Sequence, residues 1–384
     1  MSLYPLKFMP LFKNKVWGGN KIQSLGFDYS PLPNCGELWV LSGVEGNESV
    51  VTNGFLAENT LNEVLEIYMG ELVGERNYMR YGDEFPLLIK LIDAADKLSI
   101  QVHPDDKLAR SRGMENGKTE MWYILEAEAG ATLIDGFERP LDRERYRQAL
   151  ESGSLESLLH VEHPQSGDTF FIPAGRVHAL GGGLLLAEIQ QSSDCTYRIY
   201  DYNRPDSDGK MRELHTAEAL DAIDFSAVRD GRTHYTYHDN VTVQLAKCPY
   251  FTTSLISLRA IETNPAASLR KDFAQLDSFV VYFCVEGVAA VRALDTVCPI
   301  HAGECVLVPA MADEVELFAE GAAKLLEVYI DPSQYGDEEL LHQYDHDWVA
   351  QFRGNEAELP EEYGARCNDP AETETCRQDL RHHE

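Results

Sequence analysis

The chain has 384 residues, of which 44% are hydrophobic and 25% are charged, so it can bury the cores of two domains. Its formal net charge of −31 argues against binding to nucleic acids or anionic membrane surfaces, because both would be repelled. No apolar run is long enough to cross a bilayer, and an anionic substrate would require a site with local positive charge.

The N-terminus and the cysteines predict a cytoplasmic protein. Residues 1–10 lack the basic start, apolar centre and small-residue cleavage site of a signal peptide. The cysteines form no Cys-x-x-Cys pair, so we expect reduced thiols rather than a disulfide framework or a cysteine zinc site. They stand at positions 35, 195, 248, 284, 298, 305, 367 and 376.

Short strands dominate the first part of the chain, and helical periodicity is confined to two segments. The spacing of apolar residues predicts helices over about residues 56–72 and 142–159. Many short strands with a few inserted helices favour a barrel or sandwich over alternating βαβ units. Runs of β-branched and aromatic residues bounded by Pro, Gly, Asp or Asn predict strands at 85–92, 98–103, 121–125 and 169–173.

A second strand-rich block begins near residue 241. Residues 279–285 and 288–291 flank Gly287 and predict a β-hairpin. A further predicted strand at 303–310 shares its spacing of Gly, acidic, apolar, Pro and Ala residues with 167–174.

This weak internal repeat predicts two barrels. The first would occupy residues 1–240 and carry the chemistry and both helical insertions. The second, at 241–332, would be a degenerate copy. The acidic and turn-rich residues 333–384 are expected to form a peripheral tail.

Polar residues on strand faces expected to be buried indicate a metal site. Gln101 and His103 are two residues apart and therefore share one face of their strand. Glu120 stands at the start of the next apolar strand, and the turn after Pro173 places His178 on the following one. Because an unpaired buried polar group costs about 1–3 kcal/mol, these side chains need a partner.

Two imidazoles, one carboxylate and one amide oxygen suit a zinc ion, one per chain, with room for water or substrate oxygens. Taken singly, His103 fits better as a hydrogen-bonded core histidine, and Glu120 as a solvated strand end. Their combination with Gln101 and His178 favours the metal.

The chain resembles the type I mannose-6-phosphate isomerases in their shorter bacterial form. The resemblance runs from about residue 5 to about residue 330. Its motifs are Lys15-Val-Trp-Gly-Gly, Gly36-Glu-Leu-Trp, Phe85-Pro-Leu-Leu-Ile-Lys, Leu98-Ser-Ile-Gln-Val-His-Pro-Asp-Asp, Gly117-Lys-Thr-Glu-Met-Trp-Tyr, Pro173-Ala-Gly-Arg-Val-His and Glu188-Ile-Gln-Gln-Ser-Ser-Asp-Cys-Thr-Tyr-Arg-Ile-Tyr-Asp.

The resemblance implies a mainly β fold of two cupin-type jelly-roll barrels with short helical insertions. It implies a zinc-dependent interconversion of mannose 6-phosphate and fructose 6-phosphate through an enediol, without an organic cofactor. In the family, the residues that match Gln101, His103, Glu120 and His178 bind zinc. Those that match Lys90, Lys118, Asp194 and Arg198 lie in or around the active site.

These residues suggest roles. Lys118 should face the same pocket as Glu120, and a nearby dication should lower its pKa, so it can serve as a base or proton shuttle. Asp194 and a metal-bound water are rival bases. Arg198 should present a planar donor to the substrate oxygens or phosphate, and we expect Lys90, Lys118 and Arg198 to bind substrate. Without the resemblance, Lys118 and Arg198 fit equally well as surface cations.

Two other functions fit the same residues. Two histidines and one carboxylate also hold iron in non-haem oxygenases, and a cupin can bind a sugar without catalysis. Gln101 as a fourth ligand and the nearby cations favour the isomerase. Glu314 stands in the second repeat where His178 stands in the first, so no second metal site is predicted. The sequence does not indicate the oligomeric state.

Overall fold

Short strands and a few helices make up the computed structural model, which describes residues 2–206, 209–228, 230–262 and 264–335. The prediction of a mainly β fold is confirmed. Among the described residues, no helix combines the length and apolar character needed to span a bilayer. The helices are α1 (Leu61–Val73), α2 (Glu75–Tyr81), α3 (Asp106–Ser111), α4 (Arg143–Glu151) and α5 (Thr216–Ala222), and 3-10 turns lie at Lys21–Leu25, Gly54–Leu56, Leu155–Leu158 and Pro332–Gln334.

Two antiparallel sheets occupy the first 200 residues. Sheet A has the strand order β1-β2-β3-β10-β5-β8, and sheet B has the order β11-β4-β9-β6-β7. The strands of sheet A are β1 (Leu11–Lys13), β2 (Glu37–Ser42), β3 (Leu87–Ala94), β5 (Glu120–Ala127), β8 (Thr169–Ile172) and β10 (Leu184–Gln191). Those of sheet B are β4 (Ile100–Val102), β6 (Leu133–Phe137), β7 (Leu159–Glu162), β9 (His178–Leu180) and β11 (Tyr197–Tyr200).

Sheets A and B bury apolar faces against each other. Trp122 and Leu186 of sheet A pack in one cluster with Leu133 and Leu180 of sheet B. Because side chains alternate along a strand, His178 shares the inner face with Leu180, while Ala179 points outward into a second cluster. The polar residues of β4 and β9 therefore point into the space between the two sheets.

A third sheet, sheet C, lies in the second part of the chain. Its order is β12-β13-β18-β15-β16, with β14 paired to β18 and β17 to β15. Phe170 of β8 pairs with Trp122, and Val306, the residue of β17 that matches Phe170 in the predicted repeat, pairs with Tyr282. The strands are β12 (Thr242–Cys248), β13 (Phe251–Arg259), β14 (Ser268–Asp272), β15 (Val280–Ala293), β16 (Thr296–His301), β17 (Cys305–Val308) and β18 (Glu314–Tyr329).

Residues up to Gln334 belong to one compact unit, and the predicted domain boundary near residue 240 stays a prediction. The six cysteines among the described residues are free thiols. The predicted acidic tail lies, from residue 336 onward, outside the described residues.

The predicted hairpin around Gly287 is wrong. Residues 280–293 form the single strand β15, and the chain turns only at Leu294 and Asp295, which both have positive φ. The long strand β18 pairs with β15 on both sides of Gly287. Two register shifts next to Gly287, which has a φ of 80°, form β-bulges that accommodate this backbone conformation within the strand. Gly287 therefore bends a strand instead of ending it.

The helical insertions are shorter than predicted, the first at its start and the second at its end. Thr60 and Glu63 form a capping box, so α1 begins at Leu61 rather than near residue 56. Asp142 accepts a hydrogen bond from the backbone N–H of Arg145 and caps α4. That helix ends at Glu151, and the rest of the predicted segment holds a 3-10 turn.

Candidate active site

The four predicted metal ligands meet between sheets A and B. Gln101 on β4 is the cross-strand partner of His178 on β9, and Glu120 is the first residue of β5. His103, Glu120 and His178 each offer a ligand atom within 4.8 Å of the others. Glu120 Oε2 is 3.5 Å from His103 Nε2, and Oε1 is 3.4 Å from His178 Nε2. The predicted convergence on one point is therefore present.

Both histidines present an unprotonated nitrogen to this point. His103 Nδ1 donates to the carbonyl of Cys195 at 2.8 Å, and His178 Nδ1 donates to that of Arg176 at 2.9 Å. Each Nε2 is thereby left with a free lone pair. Burial lowers the pKa of His178 to about 4, and burial together with the charge of Lys118 holds that of His103 well below its ordinary value. Neutral imidazoles are the form that binds metals.

Gln101 completes the set through its side-chain amide. Its Nε2 lies 3.2 Å from His178 Nε2, and its Oε1 accepts a hydrogen bond from Ser99 Oγ at 3.2 Å. A half-turn of the amide exchanges the two atoms and directs the oxygen, which is the metal-binding atom, toward the histidine.

Glu120 is the electrostatic centre of the cluster. It is 0% exposed, and its Oε1 accepts no hydrogen bond from any residue that the structure describes. The ammonium of Lys118 forms an ion pair with Oε2 at 2.8 Å and lies 3.0 Å from His103 Nε2. Burial raises the pKa of Glu120 to about 7. A buried carboxylate that faces two imidazole lone pairs fits a bound cation, because a cation satisfies all three groups at once.

A cavity of about 280 Å³ opens beside the cluster. All four residues predicted to lie in or around the active site line this cavity: Lys90, Lys118, Asp194 and Arg198. Lysine and arginine side chains in its lining provide the local positive charge that an anionic substrate would require in this acidic protein. The lining consists of Lys15, Trp17, Glu37, Lys90, Ile92, Leu98, Ser99, Gln101, Lys118, Glu188, Asp194, Thr196, Arg198 and Arg212.

The inner wall of the cavity is a buried network around Glu188. Lys90 Nζ lies 3.0 Å from Glu188 Oε1 and 2.7 Å from Gln190 Oε1, and Trp122 Nε1 donates to Glu188 Oε2 at 3.0 Å. Burial opposes the charge on Lys90, but Glu188 and Glu37 raise its pKa. Burial likewise opposes the charge on Glu188, but Lys90 and Lys118 lower its pKa. The two groups are a stable ion pair, so Lys90 is already engaged within the protein.

Two guanidinium groups line the opposite wall. Arg198 on β11 donates from Nη1 to the carbonyl of Glu213 at 2.9 Å, while its buried Nε has no hydrogen-bond partner among the residues that the structure describes. Asp201 holds Arg212 by two hydrogen bonds of 2.7 and 2.6 Å. Burial and the charge of Arg212 lower the pKa of Arg198. Two like charges on one wall and an unused donor indicate a binding place for an anion.

Four charged lining residues were missed by the predictions from sequence. Glu188 interrupts an apolar strand, which is a signal that could have identified it, since charged residues are seldom buried without a partner. Glu37 shows the same signal at the start of β2, beside Trp39. Lys15 and Arg212 lie in loops, and no local pattern places them at the cavity.

Mannose-6-phosphate isomerases are among the known proteins to which this chain is similar. The family described as "Phosphomannose isomerase type I, catalytic domain" matches residues 5–131. The mannose-6-phosphate isomerase ManA of Bacillus subtilis is 35% identical over 329 residues, which cover 85% of this chain and 99% of that protein. The mannose-6-phosphate isomerase of Streptococcus mutans is 36% identical over 250 residues, or 65% of this chain and 77% of that one.

Solved structures show the same similarity. The crystal structure of the mannose 6-phosphate isomerase from Bacillus subtilis superposes with a TM-score of 0.74 at 32% identity, covering 84% of this chain and 99% of that one. A single-site variant of the phosphomannose isomerase from Salmonella typhimurium superposes with a TM-score of 0.67 at 19% identity. The alignment covers 85% of this chain and 100% of that one, and this likeness concerns the fold.

Proposed function

Because the chain belongs to the type I phosphomannose isomerase family, we propose that it interconverts mannose 6-phosphate and fructose 6-phosphate. The buried His–Glu–His cluster at a cation-lined cavity carries this proposal. The relatives named as isomerases favour this activity over the iron-dependent oxygenase and the non-catalytic sugar-binding protein that the sequence left open.

We assign one zinc ion to Gln101, His103, Glu120 and His178. The support is the donor set: two neutral imidazoles, an amide and a buried carboxylate whose Oε1 accepts no hydrogen bond within the described part of the chain. When bound, zinc would stabilise the negative charge that develops on the sugar oxygens beside the exchanged proton.

The substrate phosphate is best placed at the wall formed by Arg198 and Arg212. A phosphate group there accepts the free Nε–H of Arg198 and relieves the repulsion between the two guanidiniums. Arg198 is also the cross-strand neighbour of Gln101, so it lies next to the metal ligands. We therefore propose that Arg198 contacts the reacting part of the sugar as well, whereas Arg212 holds the phosphate alone.

The isomerisation moves one proton between C2 and C1 and another between the two oxygens, through an enediol. Lys118 and Asp194 are the two groups of this chain that we propose for these transfers, since both line the cavity. Lys118 lies within 3.0 Å of His103 and donates at the metal-binding end of the cavity. Asp194 lies at the exposed end and can accept a proton. Both oxygens of Glu188 already accept hydrogen bonds, so it is the weaker base.

A coupled assay of fructose 6-phosphate formation tests the proposal. The purified protein should convert mannose 6-phosphate, lose activity on treatment with a chelator and regain it on addition of zinc. Full activity after complete removal of metal would refute the metal centre. Absence of turnover in the zinc-loaded protein would refute the isomerase itself.

A further inference from the structure

Asp135 is a buried carboxylate that the proposed reaction does not use. It lies on β6, is 0% exposed and is the cross-strand partner of His178. Its Oδ1 accepts a hydrogen bond of 2.6 Å from Arg176 Nη1, and within the described part of the chain its Oδ2 has no hydrogen-bond partner. A buried charge with a single partner is costly to keep, so its placement next to a metal ligand requires a reason.

Arg176 links this carboxylate to the metal ligand. Its backbone carbonyl accepts the hydrogen bond from His178 Nδ1 that fixes the tautomer and the direction of the imidazole. Its side chain, which is 19% exposed, ends on Asp135. One residue therefore contacts the ligand with its main chain and the buried carboxylate with its side chain.

Strand β6 contacts the residues on both sides of the peptide between residues 176 and 177, namely the Arg176 side chain and the Val177 carbonyl. The N–H of Gly136, next to Asp135, donates to the carbonyl of Val177 at 2.7 Å. Asp135 itself holds the Arg176 side chain. The peptide whose carbonyl orients His178 is thus clamped by two adjacent residues of one strand.

Gly231 closes the space around the carboxylate. A β-carbon on this residue would overlap Asp135 Oδ2, so only glycine fits beside it. The backbone of Gly231 therefore packs directly against the carboxylate of Asp135 on the side of Oδ2.

We propose that Asp135 is a positioning residue for the metal ligand His178 and acts through the side chain and carbonyl of Arg176. The inference rests on the proposed metal centre. Without the charge of Asp135, the Arg176 side chain loses its partner. The Arg176 carbonyl, which accepts the hydrogen bond from His178 Nδ1, is then misaligned. Loss of such an outer partner lowers metal affinity by about 10- to 100-fold.

The test measures zinc affinity by competition with a chromophoric chelator. Asp135→Asn and Arg176→Ala should each weaken zinc binding by about 10- to 100-fold, and the double variant should be no weaker than the poorer single variant, because both changes break one link. Glu327→Gln is the matched control, since this carboxylate is also buried and paired with a cation, Lys271, but lies in sheet C. Its zinc affinity should equal that of the wild type.

The outcomes separate this inference from the metal centre. Wild-type protein that fails to bind zinc would refute both. Wild-type binding with unchanged affinity in Asp135→Asn, or with additive losses in the double variant, would overturn the positioning role alone. Circular dichroism will show whether Asp135→Asn folds. If it does not, the zinc affinity of Arg176→Ala tests the positioning role, because that change breaks the same link from the more exposed side.

Discussion

Replacing Arg212 with glutamine should weaken substrate binding with little effect on turnover. Asp201 holds the Arg212 guanidinium on the cavity wall, where we place the substrate phosphate. A phosphate contact is the same in the ground state and the transition state, so its loss raises KM and leaves kcat nearly unchanged. A hydrogen bond between charged groups contributes about 1.5–3 kcal/mol, which corresponds to a rise in KM of about 10- to 150-fold.

Arg204 provides the matched control. Asp201 also accepts a hydrogen bond from Arg204 at 3.0 Å, but Arg204 does not line the cavity. Arg204→Gln therefore removes the same charge and disturbs the same carboxylate without touching the phosphate, and its KM should stay near that of the wild type.

Steady-state kinetics with mannose 6-phosphate and with mannose decide the matter. The rise in KM caused by Arg212→Gln should be seen with mannose 6-phosphate and not with mannose. An unchanged KM, an equal effect in Arg204→Gln or an equal loss with mannose would refute the assignment of the phosphate to this wall.

Three further predictions concern catalysis, pH and stability. Arg198→Ala should lower kcat as well as raise KM, and a change in KM alone, seen in the same kinetic assay, would reduce Arg198 to a uniform binding contact. Burial and Glu115 raise the pKa of Glu84 to about 8, so the folded protein retains a proton that the unfolded chain releases near pH 4.5. The thermal stability of the protein should therefore fall as the pH rises from about 4.5 to about 8. In Glu84→Gln the melting temperature should fall less over the same pH range. A fall as steep as that of the wild type would contradict this. Tyr282→Phe leaves the buried Glu327 Oε2 without its hydrogen bond and should lower the free energy of unfolding by about 1–3 kcal/mol in urea titrations without changing kcat. Unchanged stability would show that the bond contributes nothing.

The meeting of the four candidate metal ligands was predictable because it follows from local rules. The alternation of side chains along a strand put Gln101 and His103 on one face, and a turn with Pro173 and Gly175 fixed where His178 begins the next strand. These features depend on neighbours in sequence, so no knowledge of the sheet order was needed.

The remaining features depend on partners distant in sequence. Glu188 faces Lys90 only because β10 pairs with β3 in one register, and Gly287 bends β15 only because β18 is long enough to pair on both sides of it. Arg212 reaches the cavity through its contact with Asp201. Cross-strand register and loop geometry of this kind are set by the whole fold, which local periodicity does not encode.

The zinc content of the purified protein is the most direct test of the central claim, that Gln101, His103, Glu120 and His178 share one ion. Elemental analysis should find one zinc ion per chain in the wild type and none in a folded Glu120→Ala variant. A wild-type protein that turns over mannose 6-phosphate without metal, or a Glu120→Ala variant that retains zinc at full occupancy, would contradict the account.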